Sequence, residues 1–204
     1  MKMLRGLVYG MVAFVMIVGM IGCSSMPKVT RTATDEMIDV SGNWNDTDSQ
    51  LVSKEMITDS LGRPWLDDFV MAKKDKPRVI VGAVLNKSHE HINTETFVKD
   101  LERELTNSGR VKFVASKTQR EEMRDERADQ AMNASAATAK AAGNETGADF
   151  MIKGQINTIL DEAGKMSLKY YQIELELLDM SNGEKVWIGQ KKIKKLVKKR
   201  SARF

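Results

Sequence analysis

Cysteine, histidine and proline are scarce in this chain, whose 204 residues include one cysteine, two histidines and three prolines. A single cysteine excludes an internal disulfide framework. With two histidines, a four-ligand metal site would depend on carboxylates. The sequence also lacks a glycine-rich phosphate loop, a dinucleotide-binding fingerprint and a Gly-x-Ser-x-Gly nucleophile elbow. These absences argue against the common nucleotide-binding and hydrolase classes, and we expect no enzyme activity, no cofactor and no metal.

The cysteine lies at the end of an amino-terminal apolar segment. Lys2 and Arg5 precede an uncharged run at residues 7–21. As a helix at about 1.5 Å per residue, this run would span about 22 Å, which is short of the ~30 Å core of a bilayer. A secretory signal peptide is therefore favoured over a transmembrane anchor. Residues 20–23 resemble a bacterial lipobox, which predicts cleavage before Cys23 and fatty acylation of that residue; the alternative is an incidental thiol.

The residue after the cysteine bears on localisation. In lipoproteins generally, an aspartate at that position retains the protein in the inner membrane, and this chain has Ser24 instead. We therefore expect a lipid anchor on the periplasmic face of the outer membrane. The predicted organisation is a signal peptide at 1–22, a flexible tether at 23–38, a globular domain at 39–190 and a basic tail at 191–204.

Charge is unevenly distributed along the chain. The formal net charge is +4, with 32 basic and 28 acidic residues. Eight of the basic residues lie between Lys191 and the end, where there is no acidic residue. Once Lys2 and Arg5 are removed with the signal peptide, the body carries 22 basic against 28 acidic residues. A lipoprotein does not meet genomic DNA, so we expect no nucleic-acid partner.

The first half of the domain alternates helices with strands. Helices are predicted from apolar spacing and capping residues at 50–61, 65–71, 95–108 and from Ser116 through the alanine-rich stretch 134–142. The run at 79–85 is apolar on both faces, which predicts the buried central strand of a covered sheet. A strand at 111–114 comes after a helix, and this order implies a parallel crossover.

The last third of the domain alternates apolar and polar residues. This period of two predicts strands at 150–156, 171–177 and 186–188, each with one face on the core. Residues 161–165 are predicted to form a turn, and Asn182-Gly183 is a strong hairpin signal. The predicted fold class is α+β: a single small domain with a mixed, mostly antiparallel β-sheet and helices on one of its faces.

Two pairs of side chains resemble catalytic or metal-binding pairs. His89 and His91 could hold a metal only with further ligands such as Glu90 or Glu95, so an ordinary loop is favoured. The side chains of Glu174 and Glu176 would stand about 7 Å apart on one strand face, a spacing compatible with inverting glycosidases. No predicted pocket shields either carboxyl group, and a solvated face explains both more simply.

The basic tail at 191–204 admits two interpretations. Ile193, Leu196 and Val197 among lysines could form an amphipathic turn on anionic lipid or lipopolysaccharide phosphate. The favoured alternative is a last strand that frays into a solvated end.

Several short stretches resemble the LpoB-type lipoproteins, which are outer-membrane activators of class A penicillin-binding proteins. The resemblance covers most of residues 40–190 and rests on Gly22-Cys23, 41–45, 79–88, 105–114, 147–150 and 182–187. It implies an α+β domain similar to the amino-terminal domain of TolB. It also implies a monomeric, non-enzymatic effector that docks on a non-catalytic domain of a peptidoglycan synthase and raises its activity.

The resemblance leaves the docking residues open. Trp44, His89 and His91 are weak candidates for partner contact, because exposed aromatic side chains are plausible anchors. The well-known enterobacterial form has a long proline-rich tether, whereas residues 24–40 are short and contain only Pro27. The alternative function is a structural subunit of an envelope secretion or assembly complex similar to CsgG, which would form a stable ring.

Overall fold

A computed structural model describes residues 30–33, 36–135, 137–140, 143 and 145–198. The chain divides into two units, residues 1–36 and residues 37–204. The described residues of the first unit, 30–33 and 36, are exposed and belong to no helix or strand. The predicted signal peptide and Cys23 lie outside the described residues. Within the described part of the chain, no helix is long and apolar enough to cross a membrane.

The second unit contains four described helices and five strands. They follow in the order α1 (Asp46–Leu61), α2 (Pro64–Lys73), β1 (Arg78–Lys87), α3 (Thr94–Asn107), β2 (Lys112–Phe113), α4 (Lys117–Asn133), β3 (Phe150–Ala163), β4 (Met166–Asp179) and β5 (Lys185–Lys198). The sheet order is β2-β1-β3-β4-β5, in which β1 is parallel to β2 and β3, and β3, β4 and β5 are antiparallel. The predicted α+β class with a mixed sheet is confirmed.

Capping residues mark the starts of two helices and the end of a third. Asn45 and Asp48 form a capping box at the start of α1, and Ser116 and Gln119 form another at the start of α4. After α3, Gly109 has φ +64°, a left-handed conformation that favours glycine.

One face of the sheet carries the core. Helices α1 and α3 pack against each other, α3 packs on β1 and α1 packs on β5. The apolar side chains of α3 lie at i, i+4 and i+8, which places Phe97, Leu101 and Leu105 on one buried stripe. They belong to the same core cluster as the inward row of β4, where Tyr171, Ile173, Leu175 and Leu177 are fully buried.

The prediction that residues 79–85 form a central strand buried on both faces is wrong. β1 lies second from the sheet edge, only one of its faces is buried, and Leu85 is 51% exposed. Its register against β3 shifts between Val81 and Val84, so Val79, Val81 and Val84 point into the core. This irregularity switches the inward positions from odd to even residues. The bulge makes inward positions of both parities, so apolar residues at 79, 81 and 84 break the alternation expected of a strand with one buried face.

Other boundaries also differ from prediction. Helix α1 begins at Asp46 instead of residue 50, and the turn predicted at 161–165 is narrower, because residues 161–163 pair with residues 166–168. Helix α4 ends at Asn133, and the described residues of the alanine-rich stretch 134–142 are not helical. No residue of α4 is buried, so this helix has no packed face from which tertiary contacts could extend it. At the other end, residues 191–198 form the second half of β5 and pair with β4; residues 199–204 lie outside the described residues.

Candidate functional site

The chain enters the second unit through a short segment that we call the strap, residues 39–45, which lies before α1. Trp44, a candidate from the sequence, belongs to the strap. Its backbone N–H donates to Oε2 of Glu90 at 3.1 Å. His89 and His91 flank Glu90 and are both exposed. The structure therefore brings Trp44 to the 89–91 loop, but the residue that it contacts there is the glutamate.

Glu90 is the polar centre of the site. Lys169 Nζ donates to its Oε1 at 2.6 Å, and the Tyr171 hydroxyl lies 2.8 Å from the same oxygen. The Tyr171 hydroxyl is also 3.0 Å from the carbonyl oxygen of Gly42 and can donate its proton to either acceptor. One carboxylate thus joins the strap to the inward face of β4.

The ionisation of this cluster follows from its contacts. Burial alone would raise the pKa of the Glu90 carboxyl group, but hydrogen bonds from Lys169, the Trp44 amide and Tyr171 hold that pKa below its ordinary value. Burial, followed by the hydrogen bond to Glu90, raises the pKa of the Tyr171 phenol. At neutral pH, Glu90 is therefore a carboxylate and Tyr171 a neutral donor to it.

A second ionic cluster holds the other side of the strap. Lys195 on β5 donates to Asp48 Oδ2 at 2.6 Å, Asp39 Oδ1 at 2.8 Å and the backbone oxygen of Asn43 at 3.1 Å. Burial would lower the pKa of the Lys195 ammonium, but the hydrogen bonds to Asp39 and Asp48 raise it. The hydrogen bond from Lys195 lowers the pKa of Asp39. Asp48 also belongs to the capping box of α1, so this cluster joins strap, helix and sheet.

Three consecutive residues, Gly42, Asn43 and Trp44, make contacts that hold the strap against the folded unit. A Cβ atom on Gly42 would overlap the Val197 side chain, so only glycine lets the strap lie this close to β5. The Asn43 side chain accepts a hydrogen bond from Lys169. Trp44 packs edge-on against Phe97 at 5.9 Å and against Tyr171 at 5.8 Å between ring centroids. Trp44 is half-buried and packs on the core.

Of the two candidate histidines, His89 contacts strand β3. His89 bonds to Thr158 Oγ1 through its backbone N–H, at 3.1 Å, and through Nδ1, at 2.9 Å. It lines a cavity of about 130 Å³ with Glu90, Ile159 and Lys169, among others. Within the residues that the structure describes, no group of three or more histidine, cysteine, aspartate or glutamate side chains could hold a metal ion.

Glu174 and Glu176 lie on the sheet face away from the helices. Glu174 accepts hydrogen bonds from the side chains of Gln155, Gln172 and Gln190. The hydrogen bond from Gln155, followed by that from Gln172, lowers the pKa of Glu174. Glu176 pairs with Lys185 at 2.7 Å. A carboxyl group that donates a proton at neutral pH needs a raised pKa, whereas the hydrogen bonds to Glu174 lower its pKa, which is opposite to what a general acid requires.

The sequence analysis missed the residues that hold the strap: Glu90, Lys169, Tyr171 and Lys195. A signal was present for two of them. Lys169 has the same parity as the buried residues 171–177 of β4, and Lys195 has the same parity as Trp187 and Ile193 on β5. A lysine at an inward strand position indicates a buried partner of opposite charge. Glu90 gave no comparable signal because it lies in a loop.

Comparison with known families finds a match over most of the folded unit. The family model described as peptidoglycan-synthase activator LpoB matches residues 48–193, which is more than half of the chain. The matched range runs from the first turn of α1 into the second half of β5. No curated protein matches the chain significantly.

Solved structures with similar folds include two LpoB proteins and another lipoprotein. The LpoB C-terminal domain from Salmonella enterica is 17% identical, with a TM-score of 0.36 over 64% of this chain and 93% of that one. LpoB of E. coli is 15% identical, with a TM-score of 0.42 over 86% and 83%. Lipoprotein GNA1162 from Neisseria meningitidis is 16% identical, with a TM-score of 0.40 over 62% and 88%. At these identities and TM-scores, the similarities do not bear on function.

Proposed function

The chain belongs to the LpoB family of peptidoglycan-synthase activators, and we propose that it is an outer-membrane lipoprotein that binds and allosterically activates a class A penicillin-binding protein. In this proposal Cys23 carries the lipid and the folded unit makes the contact with the synthase. The protein acts as a monomer and performs no chemistry of its own.

The observation that carries the proposal is the family match over residues 48–193. The match extends over all four helices except the first two residues of α1, over the first four strands, and over β5 as far as Ile193. The family's regulatory role therefore belongs to the second unit, residues 37–204. The process that this unit regulates is peptidoglycan synthesis.

The mechanism is a difference in affinity between two states of the synthase. An activator that binds the active state tenfold more tightly than the inactive state stabilises the active state by about 1.4 kcal/mol. Anchoring raises the effective concentration of the activator for a synthase that lies within reach of the tether. It prevents binding to a synthase that lies beyond that reach.

The strap sets that reach. Asp39 and residues 42–45 are held on the folded unit, so in this proposal the tether is the predicted segment between Cys23 and the strap, residues 24–38. Fully extended at about 3.3–3.6 Å per residue, it spans about 50 Å, and as a flexible coil it averages about 20 Å. The domain therefore works close to the membrane that holds the lipid, and the synthase must present its docking domain within that distance.

Reconstitution tests the activation. The processed chain with Cys23→Ser, which carries no lipid, is added to the purified class A penicillin-binding protein of the same cell, and lipid II consumption is followed. We expect a faster rate and a complex in size-exclusion chromatography. An unchanged rate with no complex would refute the activator function, and a stable ring of the chain alone would favour the assembly-subunit alternative.

Anchoring is tested separately. Mass spectrometry of the protein from the envelope fraction should find a diacylglyceryl cysteine at the new amino terminus, and Cys23→Ser should move the protein out of the outer-membrane fraction. An unmodified Cys23 in a protein recovered from the cytosol would refute the lipoprotein assignment without bearing on binding in vitro.

A further inference from the structure

Strand β5 carries two rows of lysines with different surroundings. The inner row, Lys191 and Lys195, faces the helices, where Lys191 pairs with Glu55 and Lys195 pairs with Asp39 and Asp48. The outer row, Lys192, Lys194 and Lys198, is exposed on the opposite face. No ion pair joins the outer row to a carboxylate of the described residues.

Apolar side chains surround the outer row on the same face. Residues directly paired across antiparallel strands share a face. Ile159 pairs with Tyr170, which pairs with Lys194, and the Lys194 ammonium lies 5.8 Å from the centre of the Tyr170 ring. Leu196, one position along the same face, is 58% exposed, and Ile159 is 64% exposed. We call these six residues the tip surface: Ile159, Tyr170, Lys192, Lys194, Leu196 and Lys198.

The tip surface lies at the end of the sheet where the tether enters. The strap contacts Lys169, Lys195 and Val197 on the helix-facing side of the same strand segments. Strand β5 ends at the same place, because Lys198 pairs with Met166 beside the β3–β4 turn. The sequence after Lys198 adds three more basic residues and no acidic one.

We propose that the tip surface binds the phosphate-bearing surface of the membrane to which the tether is attached. Lysines attract anionic head groups, and apolar side chains between them enter the boundary of the acyl chains. This pattern differs from that of an edge strand protected by lysines alone, because exposed isoleucine and leucine would be a liability there. A second copy of the chain is disfavoured as the occupant, since it would bring two lysine rows together.

The charge on this part of the face is consistent with the proposal. Two carboxylates lie nearby on the same face: Asp161, which pairs with Leu168 next to Leu196, and Glu174, two residues along β4 from Gln172, the partner of Lys192. Glu174 accepts hydrogen bonds from three glutamine side chains, and against the two carboxylates stand the three outer-row lysines. The inference rests on the proposed anchoring at Cys23 for its location in the cell, but the chemistry of the surface is independent of any synthase.

The test uses the processed chain with Cys23→Ser and sedimentation with vesicles. We expect binding to vesicles of phosphatidylglycerol and phosphatidylcholine at low salt, weakening as salt is added, and little binding to phosphatidylcholine alone. Replacing Lys192, Lys194 and Lys198 by glutamine should lower the partition coefficient about a hundredfold, at about fivefold per lysine. The matched control replaces by glutamine Lys54, Lys73 and Lys140, which are exposed and lie outside the sheet. Its partition coefficient should stay within about twofold of that of the parent, because charges beyond a Debye length from the membrane are screened.

A second measurement separates membrane insertion from charge. Cys23 is the only cysteine, so Leu196→Cys in the Cys23→Ser chain can be labelled with an environment-sensitive fluorophore. Its emission should shift to the blue on anionic vesicles, while the same label at Met132→Cys on α4 should not shift. The double variant Ile159→Ser with Leu196→Ser should bind more weakly at unchanged net charge.

Three outcomes would overturn the proposal. One is no binding to anionic vesicles at low salt, another is equal loss in the outer-row and control variants, and the third is binding to soluble polyphosphate but no emission shift at position 196 on vesicles. Because no synthase and no lipid anchor is present, each of these outcomes leaves the activation experiment unaffected. Circular dichroism of each variant confirms that it is folded.

Discussion

The inner and outer rows of β5 lysines belong to the same strand and differ in their surroundings. Lys195 is 10% exposed and contacts two carboxylates and a backbone oxygen, whereas the outer-row lysines face solvent. The inner row joins sheet, helix and strap into one unit. The outer row contributes nothing comparable within the unit, so its charge is available to a partner. The sheet face on which a lysine lies therefore says more about its role in the folded unit than the residue type does.

The comparison predicts its largest effect at Lys195. Replacing it by methionine keeps the alkyl chain but leaves the buried Asp48 carboxylate without its cation, and we expect a loss of about 3 kcal/mol in the free energy of unfolding. Urea denaturation measures it. The double variant Lys195→Met with Asp48→Asn removes the uncompensated charge and should recover part of the loss; a fully additive pair of losses would contradict the buried-pair account.

Gly42→Ala tests the fit of the strap on the inner side of β5. The added methyl group would overlap Val197 and force the strap off the strand, which should cost about 2 kcal/mol. Gly42→Ala combined with Val197→Ala makes room for the methyl group and should be less destabilised than Gly42→Ala alone. Equal stability of Gly42→Ala and the parent would show that the strap does not lie in close contact with Val197.

Lowering the pH should weaken the hydrogen bonds that hold the strap at Glu90, with a smaller effect than Gly42→Ala. The pKa of Glu90 is lower in the folded state than in the unfolded state, so its stabilising effect is present above about pH 4.3, the ordinary value, and is lost as the pH falls through the lower folded pKa. The same sign holds for Asp39. Denaturation midpoints between pH 6 and pH 2 should fall more steeply for the parent than for Glu90→Gln. Parallel curves would show that Glu90 titrates without interacting with the strap.

Lys191 gives a smaller effect on the inner side. Its partner Glu55 is 60% exposed, so the pair is solvated and Lys191→Ala should cost less than about 1 kcal/mol. Added salt should reduce this cost further. If Lys191→Ala lowered the free energy of unfolding as much as Lys195→Met does, then the face on which a lysine lies, and not its burial against carboxylates, would determine its contribution to stability.

The smallest effect on stability belongs to the outer row. Replacing Lys192, Lys194 and Lys198 by glutamine should leave the unfolding free energy within about 0.5 kcal/mol of the parent, as for ordinary surface changes, although vesicle binding falls. A large destabilisation would mean that the outer row is structural after all.

Much of the fold could be predicted from periodicity and capping. The stripe of Phe97, Leu101 and Leu105, the alternation of β4 and the capping box at Ser116 each predicted an element that the structure confirms. These are local patterns, and local spacing is enough to define them. The class α+β followed from the order of the elements.

The failures have tertiary causes. The bulge in β1 is defined only by its register against β3, and the end of α4 depends on the lack of any packed face. The strap depends on Glu90, Lys169 and Lys195, which are 46 to 156 positions from the residues they hold. Partner contact by Trp44 stays a prediction. That this side chain packs on Phe97 depends on the position of α3, which no local pattern supplies.

The contact between Asp39 and Lys195 gives the strap a mechanical consequence. In the proposed lipoprotein, tension applied at the lipid would enter the folded unit at Asp39 and load hydrogen bonds to one edge strand before it reached the contact between the Trp44 and Phe97 rings. The bonds that yield first are ionic and partly solvated, so they can reform when the tension falls. The strap would thus lengthen the tether by a few residues under strain while the sheet and its helices stay intact.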